Sequence, residues 1–185
     1  MPDLMTIALM IALSSVTSAI SVILTGRAHW REGSLLMAMT MAFYGLSYVC
    51  ISFMASATPT PWFMAAYTLF GCAQSYWLWT LQRFYQMRPT WWLLASLPPL
   101  SLLLFALALD YPELRIRLVS GLFFVAETWG LWLLVRRRSE TWSKGTIIAA
   151  IGVLMFCSAL LVRVFQPSVS FTLRDPASSS IQLLA

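Results

Sequence analysis

Charge is what this chain lacks most. Only 10% of its 185 residues are charged, while 59% are hydrophobic and the mean hydropathy is +0.76. So little polar surface cannot cover a folded core in water, which excludes a soluble globular protein and makes lipid the solvent. Histidine occurs once, at His29 beside Trp30, where an interfacial loop residue is expected. The only histidine sits in a loop, so no Ser-His-Asp set is expected, and one imidazole cannot make an H-E-x-x-H zinc motif; neither a phosphate-cradling glycine loop nor C-x-x-C is present. The seven acidic residues are scattered, with no adjacent pair for acid–base work, so no enzyme active site is expected within these residues. No metal-ligand cluster or cofactor motif is present either. Cys50, Cys72 and Cys157 each lie inside an apolar run without a pairing spacing, and read as small lipid- or core-facing side chains. The start, Met1-Pro2-Asp3, lacks the basic region of a signal peptide, and the apolar run after it is too long for one, so a retained first helix is expected. There is no repeat, no low-complexity tract and no symmetry between halves, which weakens an inverted-repeat transporter reading.

What the chain has is apolar runs of membrane-crossing length. They cover residues 5–24, 35–54, 62–81, 91–109, 118–135 and 145–164. The expected fold is all-α: a polytopic membrane helix bundle forming one integral membrane domain over residues 1–185. Residues 179–185, Ser-Ser-Ile-Gln-Leu-Leu-Ala, read as the start of a seventh helix, so the chain is expected to be the front of a longer protein. Ser14/Ser18, Thr17/Ser21 and Gly71/Ser75 are small residues four apart, a spacing that lets helices approach closely. Ser34 is expected to cap the second helix. Trp62, Trp77 and Trp79 are expected in aromatic belts. Pro98-Pro99 is expected to kink or locally unwind the fourth helix.

The net charge of +5 would suggest nucleic acid in a soluble protein, but here the arginines sit at the ends of apolar runs and set topology instead. Eight of the twelve Lys and Arg lie in the first, third and fifth connections, among them Arg27, Arg31, Arg83, Arg88, Arg136, Arg137, Arg138 and Lys144. That bias places these connections in the cytoplasm and the N-terminus outside. The cluster Arg136, Arg137 and Arg138 orients the chain, with anionic headgroups or a cytoplasmic domain as further partners. Arg163, at the far end of the sixth run, can snorkel to the headgroups.

One polar group stands out at membrane depth. Glu127 lies near the middle of the fifth run, where a carboxylate must be protonated, paired or turned to a polar interior. Gln74 is the strongly polar group deep in the third run. Each lies about ten residues before a basic exit, so both sit about 15 Å from the cytoplasmic end at 1.5 Å per residue. A hydrogen bond from a protonated Glu127 to Gln74, Thr128 or Ser75 is expected. It is either part of a ligand- or proton-sensing pocket or a structural link between helices.

The loop His29-Trp30-Arg31-Glu32-Gly33 leads directly into the second run, and the third run leaves through Leu81-Gln82-Arg83-Phe84. With the basic turn at 136–144 and a polar loop before the nascent seventh helix, this cadence resembles the N-terminal membrane region of bacterial GGDEF diguanylate cyclases. The chain contains neither a complete seventh helix nor a GGDEF sequence. The resemblance implies a sensory or regulatory input domain in a bacterial inner membrane, acting as a homodimer and passing a signal by helix displacement to a cytoplasmic output domain. Its pocket for an unknown small ligand would be lined by Gln74, Glu127, Tyr67 and Tyr76. The competing expectations are a small transporter or channel with a midplane site at Glu127, and a membrane assembly subunit acting through its helix faces.

Overall fold

The computed structural model describes residues 4–26, 33–53, 59–136 and 144–165. These residues form six helices: α1 (Leu4–Thr25), α2 (Ser34–Ser52), α3 (Pro59–Phe84), α4 (Trp91–Leu107), α5 (Pro112–Arg136) and α6 (Lys144–Phe165). The loop holding His29, the arginines Arg137 and Arg138, and the expected seventh-helix start at 179–185 lie outside the described residues. The stretches Met5–Thr25, Ser34–Ser52 and Pro112–Arg136 are long and apolar enough to cross a membrane, and Trp91–Leu107 and Ala150–Phe165 are shorter apolar helices. The longest helix, α3, carries Gln74, Gln82 and Arg83, which lower its hydropathy. Large apolar side chains face outward: Leu13 is 67% exposed, Trp92 74% and Met155 69%. A surface of that kind is solvated by lipid rather than water.

Helix α3 is the hub, packing against α2, α4 and α5; α1 lies on α2, and α6 packs mainly on α5. Pairs from Gln82–Thr90 through Ser75–Leu94 to Tyr67–Ser101 show that α3 and α4 run antiparallel along their length. The reversal between them is built locally. Gln86 adopts a left-handed φ of 53°, Gln86 N–H donates to Arg83 O at 3.0 Å, and Met87 N–H donates to Gln82 O at 2.7 Å. This is a Schellman ending with glutamine at the position glycine usually fills. The buried Gln82 side chain then clamps Thr90 through both its backbone N–H and its hydroxyl.

The proline pair does not break α4, which runs uninterrupted from Trp91 to Leu107. Pro98 has no N–H to give Leu94 O, but the Ser75 hydroxyl shares its proton between Leu94 O at 2.6 Å and Gly71 O at 3.0 Å. A Cβ on Gly71 would stand 2.7 Å from Pro98 Cα and 2.6 Å from Ser101 Oγ. The Gly71/Ser75 spacing therefore brings α3 close enough to satisfy the carbonyl that proline frees.

The other small-residue expectation is corrected. Ser14, Thr17, Ser18 and Ser21 are exposed, and α1 instead buries Ala8, Ala12 and Ala19. Alanine gives the same close approach without a hydroxyl, and Gly45 of α2 lies against Val16 and Ser15. The Thr17 hydroxyl is satisfied within its own helix by Leu13 O and Ser14 O. Ser34 is not the cap of α2: it is the first helical residue, Gly33 with φ 117° precedes it, and its hydroxyl donates to Gly26 O at 3.2 Å. Trp77 and Trp79 are half-buried, Trp77 lying against Gly130 and Trp79 edge-on to Trp91 at 4.9 Å. Finally, α5 begins at Pro112 rather than 118, because proline suits the first helical position and Glu113 complements the helix N-terminus. Arg115, which precedes the apolar run at 118–135, is thereby held on α5 over the rings of Phe105 (4.9 Å) and Phe63 (5.3 Å).

Candidate functional site

The hub helix carries a buried glutamine, and α5 a buried carboxyl. Gln74 is fully buried and Glu127 is 4% exposed. Gln74 Nε2 donates to Glu127 Oε1 at 2.8 Å, so the bond expected from their matching depths is present. The same nitrogen donates to the Tyr44 hydroxyl at 2.6 Å, which joins α2, α3 and α5 in one cluster. Tyr44 was not anticipated as a site residue. Its signal is its depth in α2 and its i, i+4 pairing with Tyr48, and a span rich in aromatics disguises it as packing. The alternative partners are elsewhere: Thr128 is exposed, and Ser75 is committed to α4.

The cluster is incompletely bonded. Gln74 Oε1, Glu127 Oε2 and Trp77 Nε1 are buried with no hydrogen-bond partner. The Trp77 indole N–H stands beside the Glu127 carboxyl without closing a hydrogen bond. A buried polar atom left without a partner costs about 1–3 kcal/mol, so the cluster carries a cost at each of these atoms. Rotating the Gln74 amide would turn its carbonyl towards Tyr44 and Glu127. It would then accept from the phenol O–H, and from Glu127 only if the carboxyl carries a proton. The two patterns differ by one amide rotation and one proton.

One helical turn from this cluster, Tyr48 on α2, Phe70 on α3 and Phe123 on α5 border a cavity of about 240 Å³. Phe70 is the partition between the two. Its ring meets Tyr44 at 5.3 Å, Tyr48 at 5.5 Å and Phe123 at 6.0 Å. Tyr67 lines the cavity two turns along α3 from Gln74. Tyr76 does not join either feature; it stacks on Phe43 at 5.3 Å and tilts against Trp79 at 5.9 Å. Of the four pocket candidates, two are therefore bonded to each other, one lies on the cavity wall and one faces away. Arg136 ends α5 with its guanidinium 4.8 Å from the Trp132 ring centroid, a cation–π contact.

Among the described residues no group of three or more His, Cys, Asp or Glu is placed to hold a metal ion. Comparisons with protein-family models, with curated proteins and with solved structures give no match. The resemblance to diguanylate cyclase membrane regions accordingly rests on the residues quoted for it.

Proposed function

We propose that this chain is a membrane-embedded sensory or regulatory input domain. In this reading its six helices all cross a bacterial inner membrane, with the N-terminus outside. It acts as a homodimer and passes its signal to a cytoplasmic output domain of diguanylate cyclase type beyond these residues. The observation that carries the proposal is the half-bonded cluster of Tyr44, Gln74 and Glu127 shared by three helices. A purely structural link is best served by a single, fully satisfied pattern. A cluster with two patterns gives the bundle two states whose populations a signal can shift. Because Gln74 belongs to the hub helix, a change in its bonding alters how α2 and α5 sit against α3. The basic exits of α3 and α5 would carry that shift to the cytoplasmic face.

The uninterrupted α4 takes the proline break away from a transport reading, which keeps Glu127 as its midplane site. The test is Glu127→Gln in the native reading frame that contains these residues. The substitution keeps size and hydrogen bonding but removes the exchangeable carboxyl proton. It is expected to leave membrane abundance unchanged and to fix the output in one state. A variant that folds and responds to stimulus as the wild type does would sink the proposal.

A further inference from the structure

The cavity beside the cluster is apolar in its walls and carries one cation. Phe63, Phe70, Phe123 and Leu160 contribute hydrocarbon, Tyr48 and Ser120 bring hydroxyl-bearing side chains, and Arg163 of α6 stands at the edge. Arg163 is exposed, and no described carboxylate lies within ion-pair distance of it. A guanidinium beside an apolar chamber is suited to an anion with an apolar body, because it pairs a carboxylate through two parallel hydrogen bonds. Size narrows the class. A dry cavity of about 150 Å³ accepts benzene, so about 240 Å³ has room for a substituted ring or a short acyl chain, but not for a two-chain phospholipid.

We propose that this cavity binds a small apolar monocarboxylate, with its carboxylate on Arg163 and its apolar body against Phe63, Phe70, Phe123 and Leu160. The inference deepens the input reading above and rests on it for its consequence: an occupant presses on Phe70, whose ring touches Tyr44 of the polar cluster. Two sources share this chemistry, a medium-chain acid dissolved in the bilayer and an aromatic acid arriving from water. Helix α6, which packs mainly on α5, supplies the wall formed by Phe156, Leu160 and Arg163.

The test uses the full 185-residue chain in phosphatidylcholine nanodiscs, with radiolabelled octanoate and benzoate as probes and empty nanodiscs as the blank. Saturable binding of one molecule per chain is expected, and 1-octanol and benzyl alcohol should compete at least about ten-fold more weakly than the matching acids. Octanoate binding alone identifies the bilayer source, and benzoate binding alone the aqueous one. Arg163→Gln, at an exposed position, should retain the helical circular dichroism and lower acid affinity to that of the alcohols. Ser120→Leu should fill the cavity and abolish binding of acid and alcohol alike. Binding no greater than to empty nanodiscs, or acid affinity unchanged in Arg163→Gln, overturns the proposal. The assay needs no output domain, so its failure is separable from failure of the input reading. Binding that persists while Glu127→Gln leaves signalling intact would retain the site and remove the sensor.

Discussion

Gln74 has two N–H donors and one carbonyl, and the structure uses only the donors. Replacing Gln74 by Leu leaves the buried Glu127 carboxyl without its amide partner, at an expected cost of about 1–3 kcal/mol. Glu127→Leu removes the same bond from the other side. Because both substitutions lose one shared interaction, the double variant should be less destabilised than the sum of the singles, by about 0.6–1.7 kcal/mol. Reversible unfolding in mixed micelles measures this, and strict additivity would show that the bond contributes nothing. Tyr44→Phe removes a single acceptor and should cost about 0.6 kcal/mol in the same assay. Glu127 and Gln74 were legible in the sequence because each is an isolated polar group at similar depth in an apolar run. Tyr44 was not, because a phenol among Met, Phe and Tyr looks like packing until its hydroxyl is seen against an amide. Tyr76 failed for the converse reason: its depth suited the pocket, but its place around α3 points its ring to Phe43.

At the scale of the helix, the contact of α3 with α4 turns on one missing Cβ. Gly71→Ala would place a methyl 2.7 Å from Pro98 Cα, a backbone atom that cannot swing aside. The resulting overpacking should cost about 1–3 kcal/mol. At Gly121 and Gly152 an added Cβ would meet nothing within 4 Å, so alanine there should be neutral or gain up to about 1 kcal/mol of helix propensity. Unfolding of the three alanine variants side by side checks this, and equal effects would contradict the close-approach account. Ser75→Ala should weaken the same contact by about 0.6 kcal/mol through loss of the bond to Leu94 O. The Gly71/Ser75 spacing could be read from sequence, but its partner could not. The proline pair marked a kink or local unwinding, but not which neighbour satisfies the freed carbonyl, because that hydroxyl comes from a residue nineteen positions before it. The equal spacing of Ser14/Ser18 misled because α1 has a competing alanine face, and spacing alone does not say which face turns inward.

For the whole molecule, the approximate placement of the six described helices was legible because apolar runs and basic exits recur along the chain. The hub role of α3 was not, since the order of neighbours depends on non-local packing that no periodicity records. The proposed topology makes its own prediction. An alkaline phosphatase reporter, active only outside the cytoplasm, should be active when fused after Phe165 and silent when fused after Arg88; the reverse pattern would invert the bundle. The account turns most directly on whether the buried cluster governs an output. Cyclic-di-GMP should be measured in cells carrying the native reading frame, wild type and Glu127→Gln, at matched membrane abundance. The account predicts a level in the variant that no longer changes with stimulus and is offset from wild type by at least about three-fold, a population shift of at least about 0.65 kcal/mol. Equal levels and an equal response in both proteins would contradict it.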